Sequence, residues 1–297
     1  MIQLFQQRDF GNKINVTFQY LIQNFRSLGT ALLYIVGPVA LAAGIMSGIM
    51  QSNMLKLAGS SRSSDPMMFL QMITQFLSPA FWVTILAGFL ANIAVILTTY
   101  GHMKIYNRLG QSAMSDSIAV ADVWEEIQPA IGRIAIISIL NSIITGVACV
   151  FLLIPGIYVG VVLSLSLAIS VFEETDFGAT WERCFKLIRD KWWSTFGLIL
   201  VMGIITALAG IIFAIPNGII GFLIAGKLIP DVSTLWLIIG NVIAIVGRTL
   251  LNTIIYTAIG FQYTNLVERQ EGRGMLSAID SIGTNPAQPR ATDEGGF

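Results

Sequence analysis

The sequence predicts an all-α fold, a polytopic six-span transmembrane helical bundle with three interfacial amphipathic helices. Composition, apolar run length and helical periodicity carry that prediction. Of 297 residues, 55% are apolar and only 11% charged, and mean hydropathy is +0.74. A soluble domain carries about 25% charged residues. The 34 charges here, 17 basic and 17 acidic, are too few to cover a soluble globule of this size.

Each span needs about 20 mostly apolar residues. The first runs from Leu28 to Met50, with a kink expected at Gly37-Pro38. The second runs from Phe81 to Tyr100 and the third from Ile134 to Ile154. Pro155-Gly156 is expected to break the helix there. The fourth, Ile157 to Phe172, is short but workable where the bilayer thins. The fifth runs from Phe196 to Ile215 and should end at Pro216-Asn217-Gly218. The sixth runs from Leu235 towards Gln262. The piece Ile219 to Ala225 is too short to span. It reads as re-entrant, as interfacial, or as an extension of the fifth span past a proline kink.

Six spans put both termini on one side, and the basic residues say which. Arg8, Lys13, Arg26, Lys104, Arg108 and Arg133 flank the early spans on that side. Arg183, Lys186, Arg189, Lys191, Arg269, Arg273 and Arg290 follow, making thirteen. The opposite loops carry only Lys56, Arg62 and Lys227. Basic residues favour the cytoplasmic side, so both termini are expected there, in a bacterial plasma membrane. Tyr256, Phe261 and Tyr263 would form the inner aromatic belt, and Phe81, Trp82 and Trp236 the outer one. The outward loop from Gln51 to Asp65 is polar and rich in glycine and serine.

The amphipathic stretches are related. Asp9-Phe10-Gly11 returns as Asp176-Phe177-Gly178 at an offset of 167, and Phe18, Phe25 and Ser27 match Phe185, Trp192 and Ser194. In the first copy Phe10, Ile14, Phe18, Leu21, Phe25 and Leu28 recur at helical steps, with Asn15, Gln19, Gln23 and Arg26 elsewhere on the wheel. In the second, Phe177, Trp181, Phe185, Ile188 and Trp192 make the apolar stripe. A weaker copy holds Val120, Trp124, Ile127 and Ile131, with Asp122 and Glu125 spaced as a capping box. Helices of this kind lie in the headgroup plane. The chain therefore reads as three units, about 9–100, 117–172 and 173–265, in a membrane domain of residues 1–270. A tail, 271–297, has the composition of disordered cytoplasmic sequence.

The stretch Ile154-Pro155-Gly156-Ile157-Tyr158, then Glu173-Glu174, Lys186-Leu187 and Trp192-Trp193, resembles a known membrane module. It is similar to the multi-span domain beside the catalytic barrel of some bacterial glycerophosphodiester phosphodiesterases, which also occurs alone. The similarity covers roughly residues 117–265, and the ending Tyr263, Asn265, Leu266 and Glu268 is similar to stand-alone versions. The barrel is absent: that enzyme needs paired histidines and several carboxylates, and this chain has one histidine. The resemblance implies the membrane domain without the hydrolase activity.

Within the spans, Arg248 is costly and therefore a functional candidate. Asn241, Arg248, Asn252 and Tyr256, spaced seven, four and four, share a helix face. That stripe suits a cavity lining or a lipid phosphate contact. The alternative is an arginine that snorkels: at about 1.5 Å per residue it lies about 12 Å inside Tyr256. Glu173-Glu174 reads as a membrane exit and helix start, or as a carboxylate pair for metal or acid–base work. His102 reads as a lone interfacial residue. Asn92, Asn141, Ser142, Ser164, Ser166 and Ser170 read as interhelical hydrogen-bonding groups. Ala40, Gly44 and Gly48 read as a close-packing seam, as does Gly203 with Ala207. Cys149 and Cys184 are not expected to form a disulfide, and neither they nor His102 make a zinc or haem set. No catalytic residue, metal or cofactor is expected. Zero net charge gives no reason to expect nucleic acid. Membrane lipids and other membrane proteins are the expected partners.

The expected function is non-enzymatic: membrane-organising or partner-binding. The alternative is a transporter or lipid-handling protein built around Arg248. A lipid enzyme using Glu173 or Glu174 is the third reading.

Overall fold

The computed structural model describes residues 2–60, 73–74, 76–109, 118–226, 228, 233–274 and 276. Among the described residues the long elements are all helical, and six helical stretches are long and apolar enough to cross a membrane. The protein is therefore a multi-pass membrane protein.

Helix α1 (Phe10–Gln23) precedes the first span. That span is built of α2 (Phe25–Ala31), a π-helical turn (Leu32–Val36) and α3 (Gly37–Ser60). The wide turn sits directly before Gly37-Pro38. Pro38 has no N–H to give the carbonyl four residues back, and a π turn absorbs that loss. The helix continues to Ser60, so the first ten residues of the expected outward loop are helical; its remainder, with Arg62 and Asp65, lies outside the described residues. Leu, Met, Lys and Ala in this stretch are good helix formers and extend the helix.

Helix α4 (Pro79–Leu109) is the second span. Helix α5 (Val120–Ile127) runs through a 3₁₀ turn (Gln128–Ala130) into α6 (Ile131–Phe151). The hairpin turns at Leu152, which alone is extended (φ −153°, ψ 114°). Helix α7 (Leu153–Leu163) begins before Pro155. The helix break expected at Pro155-Gly156 therefore falls three residues earlier, at Leu152; Pro155 lies in the next helix's first turn, where N–H groups have no intrahelical acceptor and proline is tolerated. Gly156 is needed for another reason. A Cβ there would lie 2.3 Å from Cys149 Sγ and 2.6 Å from Cys149 Cα, so glycine lets the two hairpin arms touch.

Helix α8 (Ser166–Glu173) completes the fourth span, and α9 (Phe177–Ile188) follows. Helix α10 (Trp192–Ala225) carries Pro216 in its interior. Ile219 to Ala225 thus continues the fifth span. Helix α11 (Thr234–Glu271) is the last and ends at Gly272, which takes the left-handed cap conformation (φ 63°). Lys227 and residues 277–297 lie outside the described residues.

α3 and α11 run antiparallel in close approach. Gly48 faces Ile238 and Gly44 faces Val242. Ser52 Oγ and Thr234 Oγ1 are 2.8 Å apart across the seam. The terminal segment meets the ends of α4 and α11 on one face: Ile2 N–H donates to Tyr106 OH (3.0 Å) and Arg8 N–H to Asn265 Oδ1 (2.7 Å). Tyr20, Tyr100, Met103, Phe261 and Tyr263 fill the core there, each fully buried. Phe261 and Tyr263 are consequently core residues and not an inner aromatic belt. They lie on the side of α11 that meets α1, α4 and α9; of Phe81, Trp82 and Trp236, the two tryptophans are exposed and Phe81 is half-buried.

Candidate functional site

Helices α1 and α9 start alike. Asp9 and Asp176 are extended N-caps (φ −71° and −74°), and their side chains accept from the N–H groups of Asn12 and Ala179. Their buried faces also correspond at the same offset. Lys13, Thr17 and Tyr20 are buried in α1; Thr180, Cys184 and Leu187 are buried in α9. Helix α5 differs. Its N-cap is Ala119, and Asp122 sits three residues in, accepting from Ala119 N–H at 2.9 Å. Asp122 is therefore not the cap of an Asp122–Glu125 box: the chain enters the helix one turn earlier, and the carboxylate reaches back.

Helix α1 is fastened by a polar face. Lys13 Nζ donates to Ser194 Oγ (2.9 Å) and Gln262 Oε1 (2.8 Å), while Gln262 Nε2 donates to Thr195 Oγ1 (2.7 Å). Burial holds the Lys13 ammonium below its ordinary pKa; Lys191 adds to this and Asp9 opposes it. Tyr20 OH meets His102 Nδ1 at 2.6 Å, and Ser27 Oγ meets His102 Nε2 at 3.1 Å. His102 is thus a fully buried joint between α4, α1 and α2, not an interfacial residue. The sequence held a signal for this face: Lys13, Thr17, Tyr20, Asn24 and Ser27 repeat at steps of four and three. The apolar stripe lies between that face and the outside: Phe10 and Phe25 are exposed, Ile14, Phe18 and Leu21 are half-buried, and Leu28 is in the core. An interfacial helix has three sides, and its polar residues divide between core and water.

Glu173 and Glu174 are held in ion pairs. Arg183 Nε and Nη2 reach Glu173 at 2.9–3.2 Å, and Tyr263 OH donates to it at 2.9 Å. Arg183 also pairs with Glu271. Burial opposes the Arg183 charge, but the bonds from Glu173 and Glu271 outweigh it and raise its pKa. Lys104 bridges Glu126 (2.9 Å) and Glu174 (2.5 Å), and its hydrogen bond holds the Glu174 carboxyl below the usual value. Arg133 donates to the carbonyls of Ser170 and Glu174, closing the end of α8. The acids thereby tie α8, α9, α11 and the α4–α5 corner together. Cys184 is buried beneath this network, its thiol pushed up to about 12, chiefly by burial and then by Glu173. Both cysteines are free.

The stripe on α11 is divided among different neighbours. Asn241 is buried against α3, accepting from Ser47 Oγ (3.2 Å) and donating to Gln51. Tyr256 OH donates to Asn92 Oδ1 on α4 (3.1 Å). Arg248 is exposed and Asn252 half-buried. The helix face that α3 covers near Asn241 is uncovered one turn or two further on. A cavity of about 780 Å³ lies beside it, walled by apolar residues including Phe18, Phe25, Phe213, Val246 and Leu250. Arg248 is not among its lining residues.

A second cavity, about 440 Å³, lies between α4, α6, α7, α8 and α11. Asn92, Ser138, Asn141, Ser142, Thr145 and Tyr256 line it, with Ser164 on the far wall. Three of the spans' scattered polar residues also tie helices: Asn141 Nδ2 donates to Ser166 Oγ (2.6 Å), and Ser170 Oγ receives Arg133 Nε (3.1 Å). The cavity brings together polar residues that are far apart in sequence, so only the fold reveals it. Among the described residues, no three His, Cys, Asp or Glu side chains gather as a metal would require. No family model, curated protein or solved structure matches this chain.

Proposed function

We propose that this protein organises the bilayer surface or holds a partner there, without enzymatic activity, in a bacterial plasma membrane with both termini cytoplasmic. The observation that carries the reading is the anchoring of α1 and α9. Each is fixed to the bundle by one buried face; Phe10 and Phe25, from α1 and its junction, are exposed, and Phe177, Trp181 and Phe185 make a tilted, half-buried row on α9, with Phe185 packed against the core. Helices so fixed present aromatic rings to lipid or to another membrane protein at a constant height. The matching caps and buried faces of α1 and α9 support a repeated unit. The likeness to the phosphodiesterase-associated domain adds only that such a module occurs alone.

Trp181→Glu tests the reading, with Glu182→Gln as control. The first puts a charge on the membrane side and should reduce the lipids and proteins that co-purify from native membranes; the second, on the exposed side, should not. Equal effects of the two would remove α9 as the contact surface. For orientation, a cysteine at Gln7 should stay unlabelled by an impermeant thiol reagent in sealed cells, and one at Ser60 should react.

A further inference from the structure

The 440 Å³ cavity is a mainly apolar chamber with a polar patch at mid-span. Asn141 is the central residue of α6, with ten residues on either side. No charged side chain lines the cavity, so it offers nothing to balance an ion or a phosphate at a depth where charge is costly. It does offer unused hydrogen-bonding capacity. Asn141 Oδ1 and Ser138 Oγ have no partner, and Ser138 is 8% exposed. A buried polar atom without a partner costs about 1–3 kcal/mol, so an occupant that satisfies it is favoured. The Asn141 oxygen can only accept, so the occupant must bring a donor.

The way in is from the side. Ser142 and Gly146 are exposed at the rim, and Ile139, Ile143 and Val147 beside them face outward. Phe89, Ile96, Leu163 and Leu167 supply apolar wall. Such a chamber suits a molecule with a hydrocarbon body and one uncharged hydroxyl. We propose that it binds a neutral lipid alcohol of the diacylglycerol class, entering from the bilayer between α6 and α4, with the hydroxyl donating to Asn141 Oδ1. This goes beyond the surface role proposed above and does not depend on it.

The test uses the full chain in phosphatidylcholine vesicles and a diazirine-bearing diacylglycerol. Photolabelling should map to residues 138–149 and 164–167 and saturate. The methyl ether of the same probe, which has lost its donor, should label there about tenfold less, the scale of one lost hydrogen bond. Gly146→Leu should block the rim with similar loss; a Cβ at Gly146 meets nothing within 4 Å, so the backbone there leaves room for a side chain, and retained helicity by circular dichroism checks the fold. Asn141→Leu should do the same, while labelling at Leu208–Ile212 on α10 stays unchanged. Equal labelling by the two probes, or full labelling of Gly146→Leu, would overturn the proposal. So would a Gly146→Leu protein that loses self-association while keeping its lipid labelling, which would assign this face to a second copy of the chain.

Discussion

Replacing Gly48 by alanine should push α3 away from α11. The added Cβ would stand 2.5 Å from Ile238 Cα, and ordinary contact starts at 3.4 Å, so about 0.9 Å must be found. The obstacle is backbone, which cannot swing aside as a side-chain tip does. At Gly44 the Cβ would stand 2.7 Å from Val242 Cα, requiring about 0.7 Å. Overpacking of this size costs about 1–3 kcal/mol. The same separation stretches the Ser47–Asn241 bond, already 3.2 Å, and the Ser52–Thr234 bond, worth about 0.6 kcal/mol each within a membrane. Gly88 on α4 is the control, since a Cβ there meets nothing within 4 Å. Gly88→Ala should stabilise by about 0.5–1 kcal/mol through helix propensity alone. The two alanine substitutions are therefore expected to differ in sign. Thermal unfolding in detergent, followed by circular dichroism, reads this directly. A Gly48→Ala protein as stable as Gly88→Ala would refute the close approach of α3 and α11.

Two further outcomes follow from buried and exposed cations. Burial lowers the Lys13 pKa below 10.5, so the unfolded chain binds the proton more tightly in the window between the two values. Stability should rise with pH through that window, and Lys13→Met should flatten the rise seen in pH-dependent unfolding; an unchanged slope would remove Lys13 as its source. Arg248, exposed and outside the lining of both cavities, should tolerate Lys, which keeps a long stem and a charge. Arg248→Leu should be neutral or slightly stabilising. A folded Arg248→Lys protein that has lost a bound anionic lipid would instead show that the planar guanidinium reads a ligand.

The spans were legible because apolar run length is a local property. So was the Ala40–Gly44–Gly48 seam, since small residues every fourth position have few other uses. Helix ends were less legible. Pro155-Gly156 marks a break that falls three residues earlier, at Leu152, because a proline in a first turn costs little; Pro216 looks like a break in sequence, but one inside a packed membrane helix is accommodated by its neighbours. The side of α1 that is buried was missed for a different reason. Polarity marks a residue as facing water only where no partner awaits it, and Gln262, Ser194 and His102, the partners of Lys13, Tyr20 and Ser27, lie 75–249 residues away. The second cavity was hidden the same way, since its wall is assembled from five helices.

The proposed surface role requires α1 and α9 to lie at the membrane surface with their rings in lipid. Nitroxide labels at Phe25, Trp181, Gln19 and Glu182, in protein reconstituted into bilayers, measure this by collision with oxygen, which concentrates in lipid, and with a nickel chelate, which stays in water. Labels at Phe25 and Trp181 should be relaxed mainly by oxygen, and those at Gln19 and Glu182 mainly by the chelate. Equal relaxation of the two sets by both reagents would contradict the surface placement of these helices.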